Sequence, residues 1–170
     1  MKQLNCVLLI DDDEPTNFLN KMTLEQSGCT RHIRIAQSGQ AALDYLRGER
    51  NDLPGSDPGG RVDLPGSDLG ERGSASSQNG DSDGCLRPDL IFLDINMPAM
   101  NGWEFLAQYQ TLPKEKKADT VLIMLTTSLN PDDEKKTQAI PEVSGFENKP
   151  LNQTTLSRLL EKYFSNENES

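Results

Sequence analysis

The stretch "CVLLIDDDEP", residues 6–15, decides how the rest of the chain is interpreted. Its first half is a short run of apolar residues, as expected of a strand that is covered on both faces of a parallel sheet. The run ends in three successive acids, Asp11, Asp12 and Asp13. Adjacent like charges repel each other, so this arrangement indicates either a bound cation or a surface that faces solvent.

Apolar segments and helical patterns alternate along the chain. The predicted strands are residues 6–10, 33–36, 90–95, 121–125 and 145–148. The predicted helices are Pro15–Ser27, Gly39–Arg47, Gly102–Leu112, Pro131–Ala139 and Gln153–Phe164. In the last helix, apolar and aromatic side chains recur at the spacing of one helical face, at Leu156, Leu159, Leu160 and Tyr163. The alternation predicts an α/β fold with a parallel sheet, helices on both faces and right-handed crossovers.

One segment, residues 48–87, interrupts this alternation. It holds nine of the 13 glycines and no aromatic residue, and "DLPGSD" at 52–57 returns at 63–68. Two polar copies are too few to form a solenoid, and so little apolar surface cannot offset the entropy of ordering. We therefore predict a disordered or weakly ordered insertion in a single domain of residues 1–164, followed by a frayed tail at 165–170.

The charge balance limits the classes of partner. The chain has 17 Lys and Arg against 27 Asp and Glu, for a formal net charge of -10 at pH 7. Nucleic-acid binding normally requires a basic patch, so this balance disfavours a nucleic-acid partner. The N-terminal apolar run is too short for a signal peptide or a membrane span, which predicts a cytoplasmic protein without a membrane partner.

Polar side chains follow four of the five predicted strands. In a parallel sheet, functional groups gather outside the carboxyl ends of the strands. The groups predicted at this edge are Asp11, Asp12, Asp13, Asp94, Thr126, Thr127 and Lys149. Taken alone, Asp94 is better explained as an ordinary acid at a strand end, but carboxylates, hydroxyls and an ammonium from four strands together predict a shared site.

Four blocks of sequence, "LIDDDEP", "LIFLDINMPAMNGWEFL", "LIMLTTS" and "FENKPL", together resemble the receiver domain of response regulators in bacterial two-component systems. The resemblance is to the chemotaxis-type, single-domain form, and it covers the chain apart from residues 48–87 and the tail. It implies a flavodoxin-like, doubly wound sheet of five parallel strands in the order 2-1-3-4-5.

The resemblance also implies a metal site and an acceptor. Asp94 matches the phosphorylated aspartate, and Asp11 and Asp12 match the acidic pair that binds Mg²⁺ together with Asp94 and the backbone carbonyl of Asn96. Mg²⁺ prefers oxygen ligands and keeps several waters, so few protein ligands suffice. The third acid, Asp13, leaves the register of the acidic pair open by one residue.

Two further positions complete the set that the resemblance implies for catalysis and switching. Lys149 matches the lysine that pairs with the phosphoryl group, and Lys149–Pro150 matches a cis peptide bond. Thr126 matches the switch hydroxyl, with Thr127 as the alternative, and Phe146 matches the switch aromatic residue.

The resulting expectation is a phosphoacceptor signalling protein rather than an enzyme, with self-catalysed phosphotransfer and dephosphorylation only. Its partners would be a sensor histidine kinase or phosphotransfer protein and an unidentified downstream protein. A scaffold receiver that binds partners without phosphorylation remains an alternative. A phosphohydrolase of the haloacid dehalogenase type is a weaker one, since such enzymes require a second acid where this chain has Asn96.

Overall fold

A computed structural model describes residues 3–49, 53–57, 87–117, 120–127 and 130–164, and all structural statements concern these ranges. The strands are β1 Leu4–Ile10, β2 Thr30–Ala36, β3 Gly55–Ser56, β4 Leu90–Asp94, β5 Val121–Thr126 and β6 Gly145–Asn148. The helices are α1 Glu14–Ser27, α2 Gly39–Leu46, α3 Gly102–Tyr109, α4 Lys114–Lys117, α5 Pro131–Gln138 and α6 Gln153–Phe164. None of these helices combines the length and the apolar character that a membrane crossing requires.

The described strands form a single six-stranded sheet in the order β3-β2-β1-β4-β5-β6. The pairs β1–β2, β1–β4, β4–β5 and β5–β6 are parallel, so the five predicted strands occur in the predicted order. The prediction of an α/β fold with a doubly wound parallel sheet is confirmed. The number of strands differs from the prediction, because β3 pairs with β2 in the antiparallel direction.

The additional strand β3 lies inside the predicted insertion, which corrects the expectation of low order for residues 53–57. Ser56 and Gly55 pair with Ile33 and Arg34 of β2, and a Cβ at Gly55 would overlap the carbonyl oxygen of Ile33. Asp57 forms an ion pair with Arg34 at 2.9 Å, and its Oδ1 lies 2.7 Å from Nδ1 of His32. The described residues do not include the rest of the predicted insertion, at 50–52 and 58–86. They also exclude the predicted tail at 165–170.

Two buried clusters cover the two faces of the sheet. Successive residues of β1 point to opposite faces: Leu8 and Ile10 join one cluster, Val7 and Leu9 the other. The first cluster takes its helical residues from α2 and α3, and the second takes them from α1 and α6. All of β4 is buried, which explains its continuous apolar run. The sheet is therefore rigidly held between two layers, and the carboxyl ends of its central strands are fixed side by side.

Short polar motifs set the ends of the helices. Asp13 caps α1 by accepting from the backbone N–H of Thr16, and α1 ends at Gly28, whose φ of 66° is a left-handed conformation that favours glycine. Asn101 and Glu104 form a reciprocal capping box at the start of α3. The cap at Asp13 fixes where α1 begins, directly beside the acids that follow β1.

Candidate functional site

The acids that follow β1 and end β4 meet at the carboxyl edge of the sheet. Ile10 of β1 is in register with Leu93 of β4, so the next residue of each strand, Asp11 and Asp94, emerges at the same level. Carboxylate oxygens of Asp11, Asp12 and Asp94 all lie within 4.8 Å of one another. Asp11 and Asp94 are buried and Asp12 is exposed, so the cluster has one side open to solvent.

A lysine from the turn that follows β6 lies between the two buried acids. The ammonium Nζ of Lys149 is 2.9 Å from Oδ2 of Asp11 and 3.2 Å from Oδ1 of Asp94. The Lys149 side chain is 10% exposed, against 4% for Asp11 and 5% for Asp94, so the contacts form largely out of water. The lysine approaches from a turn at the end of β6 whose Lys149–Pro150 peptide bond is cis, as predicted.

The cluster carries more negative than positive charge, and the pKa of Asp94 reflects this excess. Burial and then the charge of Asp11 raise the pKa of Asp94 to about 6, although Lys149 and the N–H of Asn96 favour the ionised form. Burial works against the charged form of Lys149, but the hydrogen bond and charge of Asp11 and the charge of Asp94 outweigh it and raise the lysine pKa. A second cation would therefore relieve the remaining repulsion between the carboxylates.

These residues suit Mg²⁺, a small cation that takes an octahedral set of oxygen ligands and keeps several of its waters. Two buried carboxylates and one exposed carboxylate provide oxygen ligands on the protein side, and the exposed side leaves room for water. The backbone nitrogen of Asn96 lies 3.4 Å from Oδ1 of Asp94, which places this residue directly beside the Asp94 carboxylate. The ligand role of the Asn96 carbonyl stays a prediction.

The structure separates the third acid from this cluster. Oδ2 of Asp13 accepts from the backbone N–H of Thr16 at 3.0 Å and from its hydroxyl at 2.5 Å. These hydrogen bonds lower the pKa of Asp13, whose carboxylate is exposed and serves as the cap of α1. The structure therefore brings Asp11 and Asp12, rather than Asp13, close to Asp94, and the assignment of the metal-binding pair stays a prediction.

The predicted switch residues lie on the two neighbouring strands. Thr126 is the buried last residue of β5 and is paired with Asn148, whereas Thr127 is exposed. Phe146 of β6 is half-buried, pairs with Met124 and packs against the cluster that α2 and α3 cover. Of the two candidate hydroxyls, Thr126 is therefore the buried one and Thr127 the exposed one, and the switching roles of Thr126 and Phe146 stay predictions.

The sequence interpretation did not identify two candidate residues of the site, Asn17 and Asn20 on α1. Both are buried, and they contact the two sides of the site through Asp11 and Leu151. The available signal was their spacing: Asn17, Asn20 and Leu24 lie on one helical stripe, where apolar residues are expected. Polar residues on an inward-facing stripe indicate buried hydrogen bonds.

Comparisons with known proteins agree with this geometry. The family model of the response regulator receiver domain matches residues 81–161. Response regulator Rcp1 from Synechocystis is 28% identical over 127 residues, an alignment that covers 75% of this chain and 65% of Rcp1. The probable methanogenesis regulatory protein FilR2 from Methanothrix harundinacea is 27% identical over 156 residues, covering 92% of this chain and 79% of FilR2. The chain thus spans slightly less than two thirds of the length of Rcp1.

Solved structures of response regulators are also similar to this chain. A two-component response regulator from Cytophaga hutchinsonii has a TM-score of 0.69 and 28% identity, covering 95% of this chain and 98% of that chain. A receiver protein from Dyadobacter fermentans has a TM-score of 0.66 and 26% identity, covering 94% and 98%. The Mn²⁺-bound form of Rcp1, with a TM-score of 0.59, 22% identity and 94% of both chains covered, is similar in fold.

An acidic cluster at the carboxyl edge of a doubly wound sheet, with a lysine between its buried acids, defines a receiver-type signalling domain. The chain is similar to response regulator receiver domains, both in the family model that matches residues 81–161 and in its fold. Receiver domains are signalling domains of response regulators, and the Rcp1 structure that resembles this fold is an Mn²⁺-bound form.

Proposed function

We propose that this chain accepts a phosphoryl group on Asp94 from a sensor histidine kinase or a phosphotransfer protein, in a reaction that requires Mg²⁺. The phosphorylated form then signals by binding a downstream protein. The observation that carries this proposal is the contact of the buried Asp94 carboxylate with Lys149, beside the carboxylates of Asp11 and Asp12.

The residues of the site address the main difficulty of this reaction. A carboxylate is a poor nucleophile toward a phosphoryl group because both partners are negatively charged. Lys149 provides a fixed positive charge 3.2 Å from an oxygen of Asp94, where the incoming phosphoryl oxygens would accumulate charge. Mg²⁺ held by Asp11, Asp12 and Asp94 would supply a second positive charge between acceptor and phosphoryl group.

The transfer itself exchanges one bond for another. An Asp94 carboxylate oxygen forms a new O–P bond while the P–N bond to the donor histidine breaks. The imidazole nitrogen leaves with the bonding electron pair and takes up a proton from solvent. Lys149 pairs with the transferred group, and Thr126, buried at the end of the neighbouring strand, donates a hydrogen bond to it.

The alternatives have weaker support. A haloacid dehalogenase-type phosphohydrolase needs a second acid two residues after the nucleophile, and Asn96 at that position offers no carboxylate. A scaffold receiver would not need a lysine held between two buried acids, an arrangement whose desolvation is unfavourable unless the charges have a use.

Acetyl phosphate tests the acceptor directly. With Mg²⁺, the wild-type protein should gain one acid-labile phosphoryl group, measured by intact mass, and Asp94→Asn should gain none. Asp13→Asn is the matched control, since it neutralises a neighbouring exposed acid and asparagine also caps helices well. A phosphoryl adduct on Asp94→Asn, or no adduct on the wild type, would refute the assignment.

A second experiment tests the switch. Thr126→Ala should still accept a phosphoryl group on Asp94, but it should show smaller amide chemical-shift changes over residues 131–164 when beryllofluoride and Mg²⁺ are added. The expected cause is loss of the hydroxyl whose movement lets Phe146 swing inward, a two-state change biased by one local contact. Thr127→Ala, at the exposed neighbouring position, is the control and should respond like the wild type. Equal shifts in Thr126→Ala and the wild type would exclude this mechanism.

A further inference from the structure

The inner face of α1 carries two buried amides close to the site. Asn17 is 3% exposed and Asn20 is 1% exposed, and Leu24 continues the same stripe. Burial of an amide is unfavourable unless hydrogen bonds compensate it. Both asparagines do make a buried hydrogen bond, and the two bonds lead to opposite sides of the acid and lysine cluster.

Asn17 holds the acidic side. Its Nδ2 donates to the backbone carbonyl of Asp11 at 2.8 Å in a buried contact. The carboxylate of Asp11 is oriented in turn by the N–H of Asp13, which donates to Oδ1 at 2.9 Å. The backbone and side chain of Asp11 are thus both tied to the first turn of α1.

Asn20 holds the lysine side. Its Oδ1 accepts from the backbone N–H of Leu151 at 3.0 Å, again in a buried contact. Leu151 lies two residues after Lys149, whose own N–H donates to the carbonyl of Thr126 at 2.7 Å. The turn that carries the lysine is therefore fixed at one end by β5 and at the other end by α1. Thr23 adds a longer contact at 3.3 Å to the carbonyl of Leu151.

We propose that Asn20 is a positioning residue, which acts through the Leu151 amide to place the Lys149 ammonium between Asp11 and Asp94. Asn17 anchors the backbone of Asp11 on the acidic side of the cluster in the same way. The two asparagines are three residues apart on one helix, so a rigid separation of about 4.5 Å along the helix axis links the two anchors. This inference rests on the proposed role of Lys149 in phosphoryl transfer.

The physical reason is the flexibility of lysine. A four-carbon side chain has many rotamers, and only a fixed backbone origin keeps its ammonium in contact with two particular oxygens. Misplacement of a reacting group by about 1 Å can slow a reaction by about 100-fold. A backbone anchor at Leu151 is therefore expected to affect the rate of phosphoryl transfer more than the affinity for the metal.

The variant Asn20→Leu tests this role, because leucine has a similar size and no hydrogen-bond acceptor. At saturating Mg²⁺, its rate of phosphorylation by acetyl phosphate should fall by about 10-fold or more. Its dissociation constant for Mg²⁺ should stay within about two-fold of the wild type, since Lys149 is not a metal ligand. In the metal-free protein, hydrogen exchange at the Leu151 amide should be faster. Asn20→Ala, which removes the same acceptor without adding apolar volume, should lose rate in the same way.

A double-mutant cycle separates positioning from a general structural effect. Lys149→Met removes the ammonium and keeps the length of the side chain. In that background Asn20→Leu should cause no further loss of the remaining slow phosphorylation, since the group that it positions is gone. Thr23→Val, which removes the longer contact to the same turn, should change the rate by less than Asn20→Leu.

Two results would overturn the positioning role alone. One is a wild-type phosphorylation rate in Asn20→Leu and Asn20→Ala despite faster exchange at Leu151. The other is an equal loss of rate from Asn20→Leu in the wild-type and Lys149→Met backgrounds. Failure of the wild-type protein to accept a phosphoryl group on Asp94 would instead overturn the proposed function, and the positioning role with it.

Discussion

Helices α1 and α6 cover the same face of the sheet, and their inner surfaces are built in opposite ways. The buried residues of α6 are three leucines, Leu156, Leu159 and Leu160. Of the three buried residues of α1, only Leu24 is apolar, and the other two are Asn17 and Asn20. Both helices contribute to one buried cluster, so the difference is not one of depth. The difference shows that α6 mainly contributes packing, whereas α1 is also part of the site.

The position of α1 explains its polar inner face. Where parallel strands end, backbone N–H and C=O groups lose their partners in the sheet, and buried groups of this kind must be satisfied by side chains. The carbonyl of Asp11 and the N–H of Leu151 are two such groups, and the asparagines of α1 satisfy them. Farther along α1 the stripe becomes apolar at Leu24, where the cluster consists of strand and helix side chains.

The largest expected effect concerns the packing role of α6. Leu159→Ala removes a side chain that is 2% exposed and should lower the free energy of unfolding by about 2–5 kcal/mol, measured by urea denaturation. The same change on the outer face of α1, Leu19→Ala, is the matched control, because Leu19 is 48% exposed. That control should change stability by no more than about 0.5 kcal/mol. Equal losses in the two variants would contradict the assignment of α6 as the packing helix.

The next largest effect is the loss of folding stability that the ionised carboxylate of Asp94 causes in the absence of metal. The folded-state pKa of Asp94 is about 6, above its ordinary value of 3.8, so the folded protein binds this proton more tightly than the unfolded chain. The resulting stabilisation is complete below about pH 4 and is lost as the pH rises to about 6, with a total of at most about 3 kcal/mol.

Asp94→Asn lacks this titration, so it provides the test. In EDTA, its stability relative to the wild type should increase between about pH 4 and pH 6 and stay level above that range, as followed by thermal or urea unfolding. Asp13→Asn is again the matched control and should show no such rise across this window, since the pKa of Asp13 is lowered rather than raised. A stability difference for Asp94→Asn that is independent of pH would show that Asp94 ionises normally in the folded protein.

The contrast between the two helices also shows which features a sequence can reveal. The spacing of Leu156, Leu159 and Leu160 predicts α6 and its buried face, and the apolar runs predict the five parallel strands. The acids after β1 and β4 predict a common site because parallel strands end at one edge. These features follow from local pattern together with topology.

Other features depend on contacts between distant parts of the chain. Strand β3 consists of Gly55–Ser56 only, too short to show a strand periodicity, and it forms because β2 offers an unpaired edge. Asparagine is usually exposed on helices, so the spacing of Asn20 with Leu24 indicates at most an inward-facing position, and its role becomes visible only in the contact with Leu151 across the fold. The choice of Asp11 and Asp12 over Asp13 likewise required the cap at Thr16 to be seen.

The smallest effect on stability is expected when α1 is made to resemble α6. Asn17→Leu replaces a buried amide whose Oδ1 has no hydrogen-bond partner within the described part of the chain, and it also removes the bond to the carbonyl of Asp11. Relief of the unpaired oxygen and loss of the bond oppose each other, so the free energy of unfolding should change by no more than about 1 kcal/mol.

The affinity for Mg²⁺ should nevertheless fall, because Asp11 would lose the contact that fixes its backbone. Residues that orient metal ligands typically affect metal affinity by about 10-fold or more, which calorimetric or NMR titration of the metal-free protein would detect. Asn20→Leu is the matched control, since the identical substitution one turn away contacts the lysine side and should leave Mg²⁺ affinity within about two-fold. If both variants weaken Mg²⁺ binding equally, the two asparagines do not serve separate sides of the site. If neither variant weakens Mg²⁺ binding, the loop after β1 holds Asp11 without help from Asn17. The buried asparagines of α1 then contribute to folding but not to metal binding.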